Sequence, residues 1–301
     1  MLSRLTKFAP RKYLLRCLSS SLTTPSTVAA QTIIYKPLPR HGDNFILDHR
    51  KDREILEDKW TPAGTDLKIK FELLDQNDIE FMTQFCTEHF TKEMNIVKHL
   101  NIKGNELIEM LGPMISNWIK CQNSIVAKND NKIVGIFMGC IVERYEFHEI
   151  YRGALFHDNP KLVLKNDYAE IIRNGPFRSQ NLNRIAVLIE ELEWQTGKFL
   201  PKDTQKLALL EFAAVHPNFM RFGVGTKAAP LMQKIMLDQG CTHEVGYTVS
   251  EGTYKICLKS GHVPIFSIPY ERYIENGRPV FDNLHDGASA AHMTLRSLRN
   301  K

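Results

Sequence analysis

The sequence lacks any long apolar run. Its most apolar stretches, such as Ile133 to Val142, have the length of a strand and contain glycine. A helix that crosses a bilayer needs about 18 or more consecutive apolar residues. The sequence therefore predicts a protein without a membrane span.

Recognisable cysteine motifs are also missing. The six cysteines form no C-x-x-C pair, and none has a pair of histidines nearby. Structural zinc sites and disulfide frameworks depend on such spacings, so we expect neither a metal site nor a disulfide framework. Scattered reduced thiols are typical of an intracellular compartment.

Acidic residues are absent from the first 42 positions. This segment carries seven basic residues, and five of them precede Leu18, so removing residues 1–17 lowers the net charge from +5 to zero. Nucleic-acid binding needs a basic patch on the folded body. The remaining chain offers no obvious patch, and we expect no nucleic-acid partner.

Residues 1 to about 30 have the composition of a mitochondrial transit peptide. Arg4, Lys7 and Arg11 recur at helical spacing, and a stretch rich in Ser and Thr follows without acids. The order Arg16-Cys17 before Leu18 resembles a matrix-peptidase cleavage site. A disordered basic tail is the alternative. We expect a protein of the mitochondrial matrix, with the cytoplasm as second choice.

Regular patterning begins at Leu67. Period-two alternation indicates strands, and apolar residues spaced three or four apart indicate helices. The predicted strands are 67–73, 124–128, 133–142, 206–215, 244–249, 264–268 and 279–281. The predicted helices are 79–90, 106–120 with a break at Gly112-Pro113, 182–194, 226–239 and 253–260. Interleaved strands and helices predict an α/β fold with a mixed sheet.

Two segments do not follow this pattern. Residues 31–66 are punctuated by prolines and are predicted to form a linker or cap, with a short surface helix between Asp48 and Lys59. Residues 143–180 are polar and poorly periodic, so we interpret them as an insertion.

A glycine loop follows the strand 206–215. This strand is apolar on both faces, which predicts a central position in the sheet. It leads to Gly223-Val224-Gly225 and then to a helix. Glycines at a helix start let backbone N–H groups approach a phosphate, and the helix dipole favours the anion. The loop therefore predicts a phosphate-bearing ligand.

Several motifs compete for this loop. A Walker A loop fails because Thr226-Lys227 stands where Lys and then Ser or Thr would be required. A dinucleotide fingerprint is nominally present as Gly223-x-Gly225-x-x-Ala228, but seven residues separate the strand from the first glycine. Tight helix–strand packing without a ligand is a further alternative.

The third motif is V-x-P-x-x-x-x-x-G-x-G, formed by Val215, Pro217, Gly223 and Gly225. It resembles the acyl-CoA loop of the GNAT superfamily of N-acetyltransferases. The resemblance covers about residues 67–284, including Lys259-Ser260-Gly261-His262 near the end of the domain. It implies a GNAT-like domain over 67–301, with a central mixed sheet of about six to seven strands flanked by helices.

Within the superfamily the chain is most similar to arylalkylamine N-acetyltransferases of the insect and nematode type. Phe90-Thr91-Lys92-Glu93-Met94-Asn95 resembles their F-x-x-E-P-L segment but lacks the proline. The resemblance implies acetyl-CoA as co-substrate, no metal, a small primary amine as acceptor, and a monomer or weak dimer. It also implies that Glu93 is the general base; an exposed surface glutamate is the alternative.

The resemblance also implies a set of cofactor contacts. A backbone N–H near Phe212 or Ala213 would stabilise the oxyanion. The Arg or Gln expected before the first glycine is Met220 here, so a side-chain contact to pyrophosphate must come from Arg221 or Lys227. The implied cofactor-binding residues are Phe212, Ala213, Val215, Arg221, Phe222, Gly223, Val224, Gly225 and Thr226.

The proton donor for the leaving thiolate is less clearly marked. The superfamily often places a tyrosine where this chain has Cys257. Cys257 is one candidate, with simple packing as its alternative. Ser250 and Thr253 are candidate catalytic hydroxyls. The alternative for both residues is that they cap a helix.

Three functions remain open. The first is acetyl transfer to a small amine by direct attack. The second is transfer of another acyl group to protein lysine or an amino acid. The third is a non-catalytic acyl-CoA-binding module, which the departures at Met220 and Cys257 suggest.

Overall fold

The protein is built on an eight-stranded sheet in the order β3-β4-β5-β6-β7-β8-β12-β9. The computed structural model describes residues 38–42 and 44–299, so the predicted transit peptide lies outside the described residues. The strands are β1 (Arg40–His41), β2 (Phe45–Ile46), β3 (Ile55–Trp60), β4 (Ile69–Leu73), β5 (Ile125–Asn129), β6 (Lys132–Glu143), β7 (Lys206–Val215), β8 (His243–Thr248), β9 (Val263–Pro269), β10 (Ile274–Glu275), β11 (Arg278–Pro279) and β12 (Ala290–Ser297).

The sheet is mixed, as the order of elements predicted. β7 pairs with β8 in parallel, and the other neighbouring strands of the sheet pair antiparallel. β1 with β2, and β10 with β11, form small separate hairpins. The predicted hairpin of β5 and β6 is confirmed, with Asp130 at φ +54° in its turn.

Helices cover both faces of the sheet. They are α1 (Ile79–Glu93), α2 (Asn95–His99), α3 (Gly104–Trp118), α4 (Phe147–Ile150), α5 (Ala169–Arg173), α6 (Gln180–Phe199), α7 (Val224–Asp238) and α8 (Glu251–Lys259). Buried residues of α1, α3 and α6 share one core with Leu209 and Phe212 of β7. Buried residues of α7 share a second core with Ala208, on the opposite face of the same strand.

The helix predicted between Asp48 and Lys59 is wrong. The structure has strand β3 there, at one edge of the main sheet and within the segment that was predicted to be a linker or cap. Its charged residues suggested a surface helix, but charged side chains are also what an exposed edge strand carries.

The structure differs from the prediction in three smaller respects. β12 was not predicted, and it inserts between β8 and β9, so the sheet has eight strands rather than six to seven. The strand predicted at 279–281 is only the two-residue β11, outside the main sheet. α3 continues through Gly112-Pro113 without the predicted break.

A buried ionic network attaches the segment before β3 to the sheet. The guanidinium group of Arg53, 1% exposed, donates to carboxylates of Asp48, Glu72 and Asp78. Lys128 of β5 pairs with Asp48 and Glu72 as well. Charges removed from water are tolerated only when they are paired in this way.

Within the described ranges, no helix has both the length and the apolar character required to cross a membrane. The five cysteines in that part of the chain are unbridged, and no group of three or more potential metal ligands is found there.

Replacing Arg53 tests the ionic network. We expect Arg53→Met to lower the free energy of unfolding by about 3–5 kcal/mol, because it removes the cation shared by three buried carboxylates and leaves Lys128 and Arg50 as their remaining partners. Arg299→Met is the matched control: Arg299 pairs with Asp203 at the surface, and its loss should change stability by less than about 1 kcal/mol. Urea unfolding measures both; equal effects would contradict the network's importance.

Candidate functional site

β7 and β8 lie side by side over only part of their length. Their parallel pairing runs from Leu207 with His243 to Leu210 with Gly246, although β7 continues to Val215 and β8 to Thr248. On its other side, β7 has a β-bulge, because Met138 and Gly139 of β6 are adjacent while their partners are Phe212 and Leu210. Glu211 is the extra residue of this bulge, and bulges of this kind bend a strand.

A cavity with about 560 Å³ of empty space, open to solvent, lies where the two strands diverge. One wall is formed by Glu211, Phe212 and Ala213 of β7, and the other by residues 246–248 of β8. Gly225 of α7 and the α8 residues 253, 256 and 257 complete it. The cavity is mostly apolar, so the few polar groups in its walls determine what it binds.

The two positions in the loop favour glycine for different structural reasons. Gly223 precedes α7 with φ +79°, a left-handed conformation that favours glycine. Gly225 is in the first turn of α7, where an added Cβ would lie 2.8 Å from Cδ1 of Ile256. The first backbone N–H groups of α7 have no partner within the helix, so this end of the cavity favours an anion.

The predicted cofactor-binding residues separate into two groups. Phe212, Ala213 and Gly225 line the cavity. The others lie outside its lining, in and around the loop that leads to α7; they are Val215, Arg221, Phe222, Gly223, Val224 and Thr226. Arg221 is exposed and has φ +69°.

Lys227 forms an ion pair with the edge strand β3. Its Nζ lies 2.7 Å from Oε2 of Glu57 in β3, so a neighbouring carboxylate offsets the charge of this lysine. Trp60, also of β3, comes within 4.0 Å of the position of a Cβ on Gly223. Of the two cations predicted near the loop, Arg221 is therefore the better placed to meet a pyrophosphate.

The candidate proton donors lie at the start of α8 and within it. Thr253 and Cys257 line the cavity. Ser250 does not; its hydroxyl accepts from the backbone N–H of Thr253 at 3.3 Å and caps α8. Burial raises the pKa of the Cys257 thiol to about 11, so this thiol releases its proton less readily than an ordinary one.

Glu93 is the last residue of α1 and is partly exposed, outside the cavity lining. Asn95, two residues later, donates from Nδ2 to the backbone oxygen of Val249 at 2.6 Å. Val249 directly follows β8, and Asp286 contacts both Asn95 and the N–H of Glu251. These bonds fix the end of α1 beside the end of β8, on that side of the cavity.

An acidic group that the sequence analysis did not single out lies behind the cavity. Glu211 lines the cavity, and its electrostatic neighbour Glu193 of α6 also lies near Glu190 of the same helix. Burial, together with the charges of Glu211 and Glu190, raises the pKa of Glu193 well above its usual range. Tyr247 of β8 donates its hydroxyl to Thr196 of α6 at 3.1 Å. In the sequence, the feature that could have identified this acidic group is Glu211 itself, a glutamate within an otherwise apolar strand.

Two buried histidines pack together at the start of the loop. The ring of His216 stacks on Phe45 at 3.9 Å, and Nδ1 accepts from the N–H of Asn218 at 3.2 Å. His89 of α1 packs against His216 at 4.9 Å, and burial lowers its pKa to about 4. Both histidines therefore contribute to packing around the turn that begins at Pro217.

Sequence comparison finds no matching family model and no similar curated protein. Structural comparison does find relatives. Arylalkylamine N-acetyltransferase 2 of Aedes aegypti matches with a TM-score of 0.63 and 17% identity, over 77% of this chain and 99% of its own. The polyamine N-acetyltransferase of Drosophila melanogaster matches with a TM-score of 0.59 and 15% identity, over 76% and 100%. The chain has the GNAT fold.

The GNAT fold decides between the motifs that competed for the glycine loop. A dinucleotide-binding domain is built on a mostly parallel sheet, whereas here one pair of neighbouring strands in the main sheet is parallel. The dinucleotide alternative is therefore excluded. The C-terminal condensation domain of Ebony, in complex with beta-alanyl-dopamine, has a related fold with a TM-score of 0.52 and 10% identity, over 77% of this chain and 99% of its own.

The cap at α8 is testable. We expect Ser250→Ala to lower the free energy of unfolding by about 1 kcal/mol and Ser250→Asn to preserve it, because asparagine also caps helices. Ser179→Ala, which removes the equivalent cap of α6, is the control and should behave like Ser250→Ala. Urea unfolding measures all three; an undiminished stability of Ser250→Ala would show that the cap is unimportant.

Proposed function

We propose that this protein is an N-acetyltransferase that transfers the acetyl group of acetyl-CoA to a small primary amine. The observation that carries the proposal is the cavity between the diverging ends of β7 and β8, which ends at the glycine turn of α7. The similarity in fold to arylalkylamine and polyamine N-acetyltransferases supports it.

Features at both ends of the cavity support acetyl-CoA as the co-substrate. The first N–H groups of α7 suit the pyrophosphate, and Arg221 supplies a cation beside them. Beyond Leu210, β8 no longer flanks β7, so the edge of β7 can pair with the amides of the pantetheine arm. The acetyl group would then lie beside Phe212 and Ala213.

Acetyl transfer forms a bond between the amine nitrogen and the carbonyl carbon and breaks the carbon–sulfur bond. The ammonium group must first lose a proton, and we propose Glu93 as the base that receives it, through water. A backbone N–H near Phe212 or Ala213 stabilises the oxyanion of the tetrahedral intermediate. As the tetrahedral intermediate collapses, the nitrogen gives up a second proton and the sulfur gains one, so CoA leaves as the thiol and one proton is released overall.

The donor of this last proton is best sought at Thr253. Burial raises the pKa of the Cys257 thiol to about 11, and an aliphatic hydroxyl is a still weaker acid, so we propose that Thr253 relays a proton to the sulfur and is reprotonated in the same step. Thr253 also lines the cavity, and its hydroxyl lies 2.7 Å from that of Ser250. The pair of hydroxyls offers a proton at the cavity wall.

Arg221 and Lys227 provide a paired test of cofactor binding. We expect Arg221→Met to raise the KM for acetyl-CoA roughly tenfold, the loss of one charge-assisted contact. Lys227→Met should have a smaller effect, because Glu57 already pairs with Lys227. Steady-state kinetics at two salt concentrations measure both. A larger effect of Lys227→Met would reverse this assignment.

The function itself is tested with purified protein and a panel of amines. Acetyl-CoA should raise the melting temperature, and primary amines should be acetylated. Glu93→Gln should lower kcat by roughly 10² to 10⁴-fold with an unchanged KM for acetyl-CoA, whereas Glu109→Gln, on the exposed side of α3, should behave as wild type. If neither CoA nor acetyl-CoA shifts the melting temperature, the proposal fails.

A non-catalytic acyl-CoA-binding module is the second candidate. Met220 and Cys257 favour it, since both stand where the superfamily usually has functional side chains. CoA binding without turnover over the amine panel would support this candidate. Turnover only with another acyl-CoA, or only with a lysine peptide or an amino acid, would support the acyltransferase alternative.

We also propose import into the mitochondrial matrix, directed by residues 1 to about 30. The basic, acid-free composition of this segment supports the proposal. A tagged full-length chain should co-localise with a matrix marker, and a chain without residues 1–30 should not. Unchanged localisation after the deletion would refute it.

A further inference from the structure

We infer that Glu211 is the carboxylate that binds the ammonium group of the acceptor amine beside the acetyl carbon. This inference rests on the N-acetyltransferase function proposed above and concerns the acceptor half of the same site. It assigns a role in substrate specificity to a residue that the loop motif does not include.

Glu211 lies next to the place proposed for the acetyl group. Glu211 is the extra residue of the bulge in β7, and it lines the cavity directly before Phe212 and Ala213. The backbone of those two residues is where the acetyl carbonyl is proposed to lie. An attacking nitrogen must come within about 3–3.5 Å of the acetyl carbon, so an incoming amine passes next to this carboxylate.

The neighbours of Glu211 identify the face of the sheet on which its side chain interacts. The electrostatic neighbours of Glu211 are Glu193 of α6, Tyr151 of the insertion and Tyr247 of β8. α6 and Tyr151 belong to the core on the face opposite α7. The electrostatic neighbours of Glu211 therefore lie on the α6 face, whereas the cofactor phosphates are proposed to lie at the start of α7, on the other face. The two substrates meet at the gap between β7 and β8.

The charges around Glu193 are mainly acidic. Glu211 and Glu190 both lie near Glu193, and the guanidinium of Arg152, which stacks 4.6 Å from the ring centroid of Trp194, partly offsets their charge. Glu193 is 5% exposed, and burial together with the charges of Glu211 and Glu190 raises its pKa well above the usual range. A cation placed beside these carboxyl groups would offset their mutual repulsion. The region therefore attracts a cation.

The insertion closes this region. An added Cβ on Gly197 of α6 would lie 2.5 Å from Cβ of Tyr151, so the two segments are in close contact. Backbone bonds from Phe156 and His157 to the end of α6 continue this contact. The insertion thus encloses the acidic group on its side of the sheet, which strengthens the attraction between Glu211 and an ammonium ion because water is limited there.

The test compares a cationic with a neutral acceptor. For an arylalkylamine that is protonated at the assay pH, we expect Glu211→Gln to raise the KM about 10- to 100-fold, with a smaller change in kcat and an unchanged KM for acetyl-CoA. For an aniline, which is neutral at that pH, KM should not change. Glu191→Gln, whose carboxylate bonds Gln195 on the same helix, is the matched control and should leave every constant unchanged.

Calorimetric titration of the arylalkylamine into the CoA-bound protein provides a second readout that does not require turnover. Wild type should bind the amine at least ten times more tightly than Glu211→Gln. Equal affinity, no binding to wild type, or an equal rise in KM for both acceptors would overturn the inference. If wild type binds the amine but acetylates none, the proposed function fails while the role of Glu211 in binding stands.

Discussion

The structure depends on one interruption: β7 loses its parallel neighbour after Leu210. A central strand normally has both edges occupied, and its backbone groups are then satisfied within the sheet. Beyond Leu210, β6 alone flanks β7, while β8 follows β12 instead. The opening creates the cavity, and the backbone edge of β7 inside it becomes a surface that can pair with amide groups of a ligand.

Local patterns predicted the elements around this opening, and long-range contacts supplied what could not be predicted. The apolar run of β7 and the glycine turn before α7 are each encoded within about 20 residues, so their bounds were nearly correct. β12 joins the sheet beside β8, about 45 residues earlier in the chain, whereas β3 pairs with the next strand, β4, but carries the charged residues of an exposed edge; neither has a distinctive pattern of its own. The acidic group behind the cavity combines Glu211 with residues of α6, and only the tertiary structure brings them together.

Residues before the predicted domain boundary at 67 contribute to the site. Glu57 holds Lys227, and Trp60 lies beside Gly223, so β3 borders the turn at the start of α7. The buried Arg53 holds the segment before β3 against the sheet. The shape of the glycine turn therefore depends on a strand that composition alone suggested was a linker. The motif specifies the backbone of the turn, and the edge strand specifies which neighbouring cation remains exposed.

The bulge at Glu211 joins the two halves of the site. A glutamate in a central, apolar strand destabilises the fold unless its charge has a function or a compensating group. The bulge directs this residue to the cavity and bends the strand away from β8 at the same point. A regular strand could not do both, because strict alternation would place residues 211 and 212 on opposite faces. A single extra residue thus marks the end of the pairing with β8 and brings Glu211 to the wall of the cavity; in the proposed function the open edge serves the cofactor and the carboxylate serves the acceptor.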